Sequence, residues 1–440
     1  MSIKKTIFNL KNNILRQPLI QYNQTLMANE NMTTEQIESL QLEKLKKLFV
    51  YSKAHIPYYK EKFKNIEAKD INTLQDWEKL PILTKADILD HAEALKAPHI
   101  PKKRFSKIQT GGSTGKPLVL FHDKNFFMDA VNWRVLKWWG VKPSDNAAYI
   151  QRRDKKGLSG SINHLIWYPT QRIFLNVSHM TEENLHHFYK ELVRKKPTLL
   201  QGYVAGVFEF AKFCQKNNYS IDFLKAIWVT AAPLPEPSRT FIEGVFKAPV
   251  YDQYGCAEVF WISAQCSHKK GLHVMSDIRY VEILDKHHKP MSLDMYGEIT
   301  ITDLENYVFP LIRYKNGDRG RFLDKKCTCG SHFPPMDKID GRISDIIKLK
   351  SGKIVSAHDL TTLFDNEPEK IRDFQIYQHK DHSITLFCVL PYKDSTHTVC
   401  EQKVIKLKEL TNNEVPIHLK ITDNIGHDDG KTRFVISKVR

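Results

Sequence analysis

Between Thr198 and Tyr251 the chain alternates short apolar runs with stretches of helical spacing, and no other feature constrains the fold as much. The runs are Leu199-Leu200, Ala226-Ile227-Trp228-Val229 and Pro249-Val250-Tyr251. Strands that alternate with helices predict a largely parallel sheet covered by helices. Ala231-Ala232-Pro233-Leu234 falls at the end of one predicted strand, where open α/β sheets bind their ligands. The 440 residues suffice for a large core split into at least two domains.

One polar stretch stands apart. Gln109-Thr110-Gly111-Gly112-Ser113-Thr114-Gly115-Lys116-Pro117 packs three glycines, three hydroxyls and a lysine into nine residues. Glycines let backbone N–H groups converge on an anion, hydroxyls add donors without bulk, and a lysine brings a mobile charge to a polyphosphate. Leu118-Val119-Leu120-Phe121 follows as a predicted strand, so the loop hangs from a sheet. It is not a kinase-type P-loop. That motif needs Gly where this chain has Thr110, and Ser or Thr where it has Pro117. Taken alone, the stretch also fits a polar surface turn.

Composition excludes several classes. Hydrophobic content of 41% and charged content of 26% are those of a soluble globular protein. No apolar run approaches the roughly 18 residues that span a bilayer, and no secretory leader is evident. Seven irregularly spaced cysteines do not form a disulfide framework, so the expected compartment is the cytoplasm. Lysine and arginine exceed acids by 66 to 50, a formal +16. Without a nucleic-acid motif, this excess points to a polyphosphate substrate or an anionic membrane surface rather than to nucleic acid. Ile3, Ile7, Leu10 and Ile14 share one face of a predicted N-terminal helix, with Lys4, Lys5, Lys11 and Arg16 around it. The expected use of that face is packing on the protein itself. The alternative is peripheral contact with the inner face of a membrane.

Further along lie other chemistry-bearing stretches. Phe127 to Val141 carries Trp133, Trp138 and Trp139, a cluster whose plainer use is core and whose alternative is an acyl or aryl pocket. Cys266, Cys327 and Cys329 with one histidine, His268 or His273, offer donors that suit tetrahedral Zn²⁺; free buried thiols are the alternative. After residue 340, Gln375 to Leu390 and Ile417 to Thr422 read as strands around a helix from Val399 to Leu410. This predicts a small α+β domain of about a hundred residues. The expected division is 1–340, with a helical leader over about 1–100, and 341–440.

Thr110 to Pro117 resembles the signature loop of the adenylate-forming enzymes, the superfamily of acyl- and aryl-CoA ligases. Four more motifs of that superfamily follow in order. Tyr254-Gly255-Cys256-Ala257-Glu258 resembles its Tyr-Gly-x-x-Glu element, Tyr314 to Asp318 its Tyr-x-x-Gly-Asp element, Asp340 to Lys348 its hinge, and Gly430-Lys431 its terminal motif. His55-Ile56-Pro57-Tyr58-Tyr59 and Leu80-Pro81-Ile82-Leu83-Thr84-Lys85 resemble the branch of phenylacetate–CoA ligases and CapK-like proteins of capsule biosynthesis.

The resemblance implies a large N-terminal domain of mixed, largely parallel sheets and a small mobile lid. It implies an acid activated with ATP and Mg²⁺ to an acyl-adenylate, then transferred to coenzyme A. Thr110, Gly111, Gly112, Ser113, Thr114, Gly115 and Lys116 would hold phosphates; Ala231, Ala232, Pro233, Tyr254 and Gly255 the adenine; Asp318 and Arg342 the ribose. Glu258 would hold Mg²⁺, Lys431 would act in adenylation, and the pivot would be Ser344 or Asp345. Ala257 stands where most members carry Thr, which removes one hydroxyl near the α-phosphate. Gly271-Leu272-His273 resembles a phrase of the same branch, which favours His273 over His268 beside the cysteines. A non-catalytic scaffold of this fold, a carrier-protein, amine or glycan-hydroxyl acceptor, and a homodimer stay open.

Overall fold

The computed structural model describes residues 3–110, 118–152, 162, 165–339, 341–342, 346–355, 359–360, 363–364, 367, 370–390, 397–425 and 434–439. The glycine-rich residues Gly111, Gly112, Ser113, Thr114, Gly115 and Lys116, the pivot candidates Ser344 and Asp345, and Lys431 lie outside them. The fold is a mixed α/β architecture with a parallel sheet and a separate α+β C-terminal core.

The chain forms two compact units: Met1–Lys11, Trp139–Asp252 and Ile339–Arg440 make one, and Asn12–Trp138 with Gln253–Lys338 the other. In the first, five parallel strands run in the spatial order Val250–Tyr254, Ala226–Thr230, Leu199–Tyr203, Ala147–Gln151, Arg172–Asn176. The helices Glu182–Lys195, Val204–Lys216 and Glu236–Phe246 alternate with them. Ile150, Leu200, Ile227, Val229, Phe210 and Phe246 meet in one core. The interior strand Ala226–Thr230 buries its first four residues, so both of its faces are covered and its sequence is a continuous apolar run. Trp139 stacks on Tyr251 at 5.0 Å in this unit, and Trp133 of the other unit is buried too. Core packing is thus what these two tryptophans do.

The same unit holds a second core around Phe364, Phe374, Ile376, Leu386 and Leu407. A four-stranded sheet, in the order Ile417–Ile421, Ile384–Val389, Asp373–Gln378, Val435–Ser437, carries the helix Thr398–Leu410. The first three strands follow the alternation seen in the sequence. Val435–Ser437 adds to the edge of Asp373–Gln378 in parallel, a pairing too short to announce itself.

In the second unit the helical leader is built by local signals. Thr33 caps the helix Thr34–His55 in a reciprocal box with Gln36, and Thr84 does the same with Asp87 for Lys85–His91. Phe105–Thr110 and Leu118–Asp123 form an antiparallel hairpin with Thr110 opposite Leu118, so the glycine-rich segment connects two paired strands. Arg279–Leu284, Gly297–Asp303 and Tyr314–Gly320 then pair antiparallel in that order. Tyr254, the last residue of Val250–Tyr254, pairs with Ser263, and short antiparallel strands continue to Pro335–Met336.

Candidate functional site

Tyr254, Asn316 and Asp318 of the second unit lock together. The Tyr254 hydroxyl donates to Asp318 Oδ2 at 2.8 Å, and the Asn316 amide donates to the Tyr254 oxygen at 2.7 Å and to Asp318 Oδ2 at 3.0 Å. The Asp318 N–H donates in turn to Asn316 Oδ1 at 3.0 Å. Burial first, and then the Asp318 charge, pushes the Tyr254 phenol well up, so it stays a donor. Two sequence motifs 60 residues apart thereby become one polar surface with a fixed carboxylate.

Gly255 is required by space. A Cβ there would stand 2.8 Å from Gln253 Nε2 and 3.1 Å from the Phe260 carbonyl oxygen. The chain turns tightly enough to bring Cys256 N–H to the Val259 oxygen at 2.9 Å, with Glu258 inside the turn. Glu258 is buried, accepts from the Tyr314 hydroxyl at 3.4 Å and makes no ion pair among the described residues. A buried carboxylate whose neighbours are a phenol and a thiol is a fitting donor for a divalent cation. Burial, with the Glu258 and Asp318 charges behind it, raises the Cys256 thiol well above its ordinary range, so it stays protonated.

The two leader phrases of the sequence brace this surface from behind. The Tyr59 hydroxyl donates to the Pro310 oxygen at 3.0 Å and accepts from Ile312 N–H at 3.1 Å. Leu83 N–H donates to the Arg313 oxygen at 3.0 Å, and Lys315 N–H donates to the Leu83 oxygen at 2.9 Å. Arg313 itself sits at φ 49, in the left-handed region, held by Glu282 at 2.7 Å and by the Leu80 carbonyl. The strand that presents Asn316 and Asp318 is therefore entered through a clamped, fully buried segment. His122 braces the other motif. Its Nε2–H donates to the Ala257 oxygen at 2.8 Å, and its ring stacks on Phe260 at 4.4 Å. Neither Asn316 nor His122 carries a signal that sequence reasoning could weigh.

Ala231, Ala232 and Pro233 leave the strand Ala226–Thr230 in the first unit, with Ala231 at φ 75. A non-glycine residue in that region is strained, and such strain concentrates at ligand sites. Thr110 ends its strand and Arg342 lies in the two-residue strand Gly341–Arg342.

Cys266, His273, Cys327 and Cys329 also come together, their ligand atoms all within 4.8 Å of one another. Cys266 and Cys327 sulfurs are 3.6 Å apart, and Cys329 Sγ is 3.3 Å from His273 Nε2. Edges of a zinc tetrahedron with these donors are about 3.5–3.8 Å, so the cluster is near the required size. His273 Nδ1–H donates to the Phe333 oxygen at 2.8 Å, which turns Nε2 toward the thiols as a neutral ligand. Burial holds the His273 ring below its usual range and pushes the Cys266 thiol up to about 12. His268 instead meets the Thr328 hydroxyl at 2.8 Å and is not one of the four.

Residues 347–438 match the model of the CapK C-terminal domain. The chain is 24% identical to protein CapK of Staphylococcus aureus over 91% of this chain and 89% of that one. It is thus similar to CapK and, at comparable identity, to phenylacetate–coenzyme A ligases. Phenylacetate–coenzyme A ligase of Thermus thermophilus is 25% identical over 81% of each chain, and that of Escherichia coli 25% over 73% of this chain and 74% of the relative. Among solved structures, 2-hydroxyisobutyryl-CoA ligase in its postadenylation state superposes with a TM-score of 0.75 at 18% identity, over 93% of this chain and 91% of that one. The chain thus shares the fold of that CoA ligase.

Proposed function

We propose that the protein activates a carboxylic acid with ATP, releases pyrophosphate, and passes the acyl group from the adenylate to an acceptor, coenzyme A first among candidates. The observation that carries this is the joined cluster of Tyr254, Asn316 and Asp318 beside the buried Glu258. Asp318 would accept from the ribose hydroxyls, since a carboxylate takes two such donors and its orientation is already fixed. Tyr254 and Gly255, with Ala231, Ala232 and Pro233, would bound the adenine. Glu258 would hold Mg²⁺, which when bound neutralises phosphate charge as pyrophosphate leaves. Ser113, Thr114 and Lys116 would hold the leaving phosphates, Arg342 the ribose, and Lys431 would neutralise the charge that develops between carboxylate and α-phosphate. The division at residues 340 and 341 would let the C-terminal domain present Lys431 in one half-reaction and withdraw it in the next. Zn²⁺ at Cys266, His273, Cys327 and Cys329 would be structural, and the working compartment the cytoplasm.

A second reading concerns the acceptor. The match to CapK spans more of the chain than the matches to the phenylacetate ligases, and residues 347–438 match the CapK C-terminal domain in particular. Because a mobile domain of this kind governs the second half-reaction, a glycan-precursor hydroxyl or amine in surface polysaccharide assembly is a reasonable acceptor. One assay tests both readings. Purified protein is screened with ATP, Mg²⁺ and aryl, fatty and amino acids, with and without coenzyme A. AMP and pyrophosphate are expected with at least one acid, and thioester only with coenzyme A. ADP as product would refute adenylation, and acyl transfer to an added glycan-precursor amine or hydroxyl in the absence of coenzyme A would select the second acceptor.

A further inference from the structure

Among the described residues, the hairpin Phe105–Thr110 and Leu118–Asp123 joins no larger sheet: its two strands pair with each other and with no third strand. A lone hairpin has little stability of its own, so packing and individual bonds must set its position. Two adjacent residues of its second strand make such bonds. His122 reaches the Ala257 carbonyl oxygen at 2.8 Å. The carbonyl oxygen of Phe121 accepts from Asn306 Nδ2 at 2.9 Å. Asn306 is 4% exposed, and its other amide atom is engaged too: Oδ1 accepts from Phe309 N–H at 3.3 Å.

Asn306 itself stands on a fixed connection, the one that leads from Gly297–Asp303 to Tyr314–Gly320, the strand of Asp318. Asp303 Oδ1 accepts from Arg279 Nη1 at 2.6 Å and from Glu305 N–H at 3.0 Å. The Lys44 ammonium bridges Glu305 Oε1 at 2.6 Å and the Asp277 carbonyl oxygen at 2.7 Å. Leu304 N–H donates to the Ile278 oxygen at 3.2 Å, and Ala97 N–H donates to the Val308 oxygen at 3.0 Å. The connection is therefore tied on both sides of Asn306. The Phe121 and Phe309 rings, with centres 5.9 Å apart, pack beside the amide. From this anchor, one bond fixes Phe121, and the next residue fixes the carbonyl that precedes Glu258. A hydrogen bond weakens steeply with distance and angle, so the His122 bond survives only while its strand keeps its place.

We infer that Asn306 is a positioning residue for Glu258: it sets where the strand Leu118–Asp123 lies and, through His122, where the Glu258 turn lies against the strand of Asp318. The consequence for catalysis rests on the proposed Mg²⁺ role of Glu258; the linkage does not. Hydrogen–deuterium exchange of the full chain tests the linkage. The Glu258 turn is closed by Cys256 N–H on the Val259 oxygen and by Val259 N–H on Cys256 Sγ. Asn306→Ala and Asn306→Asp should each speed amide exchange over residues 254–260 by about fivefold, the equivalent of one neutral hydrogen bond. Asn306→Asp keeps an acceptor for Phe309 N–H and removes only the donor to Phe121, so it separates the link from the closure of its own turn. Exchange in the strand Asp373–Gln378 of the other unit should not change, which shows that the variants are folded. In a His122→Phe background, Asn306→Ala should add less than twofold, because both act on one path. The Mg²⁺ concentration for half-maximal pyrophosphate exchange should rise about fivefold in Asn306→Ala and little further in the double variant. Faster exchange confined to the hairpin and Phe309, or full additivity with His122→Phe, would overturn the inference. Faster exchange over 254–260 at an unchanged Mg²⁺ midpoint would uphold the linkage and refute Glu258 as the Mg²⁺ ligand instead.

Discussion

The second unit holds two polar clusters that solve opposite problems. Tyr254, Asn316 and Asp318 satisfy one another through four hydrogen bonds before any ligand arrives. Cys266, His273, Cys327 and Cys329 bring four soft donors within 4.8 Å, with thiols facing thiols. A hydroxyl, an amide and a carboxylate make good mutual partners, whereas a thiol is a weak donor and a weak acceptor. The first cluster is therefore preorganised by its own bonds and would bind a ligand without rearranging. The second gains little from its own contacts and has reason to converge only around an ion.

The largest expected effect breaks the first cluster. Asp318→Ala removes the acceptor of the Tyr254 hydroxyl and the proposed acceptor of the ribose. Hydrogen bonds to charged groups contribute about 1.5–3 kcal/mol each, so two of them amount to roughly 10²–10⁴ in kcat/KM for ATP. The loss should appear largely in KM for ATP during pyrophosphate exchange, because the ribose is bound alike in ground and transition states. A loss confined to kcat would mean that Asp318 does not hold the ribose.

Cys327→Ser probes the other side. Purified protein should contain about one zinc per chain. Loss of one ligand should destabilise by on the order of 3 kcal/mol, a fraction of what a full structural site contributes. The melting temperature should fall by several degrees while exchange at low temperature changes less than about threefold. If activity collapsed at an unchanged melting temperature, the cluster would belong with catalysis and the contrast between the two would fail.

The two clusters were also unequally legible. Tyr254, Glu258 and Asp318 stand out because their motifs occur in a fixed order, and the cysteines because of what they are. What the sequence withheld is how these parts are held. Tyr59 and Leu83 belong to recognisable phrases, yet their work is to bond the backbone around Pro310 and Arg313, some 230 to 250 residues away. No local propensity encodes a contact at that separation. Periodicity placed Ile3, Ile7, Leu10 and Ile14 on one face correctly, but it cannot say whether anything covers that face. Here nothing among the described residues buries it, because Phe8 on the adjacent side makes the packing contact instead.

The smallest expected effect asks how far the first cluster's preorganisation extends. His122 touches no ligand group in the proposed site; it holds the carbonyl of Ala257, the residue before Glu258. Burial holds its imidazole below the usual range, so the ring is neutral and its one N–H is committed to that carbonyl. Losing this bond leaves the Ala257 oxygen without that donor and lets the Glu258 turn relax. A neutral hydrogen bond contributes about 1 kcal/mol, or roughly fivefold. His122→Phe keeps a flat ring on Phe260 and removes the donor, whereas His122→Gln keeps a donor and removes the ring. If His122 positions Glu258, His122→Phe should raise the Mg²⁺ concentration needed for half-maximal exchange by about fivefold, and His122→Gln should restore most of it. If the ring only fills space, the order reverses: His122→Gln lowers the melting temperature more than His122→Phe, and neither shifts the Mg²⁺ dependence. That outcome would confine the preorganised surface to Tyr254, Asn316 and Asp318, with the Glu258 turn arranged by its metal much as the cysteines would be by theirs.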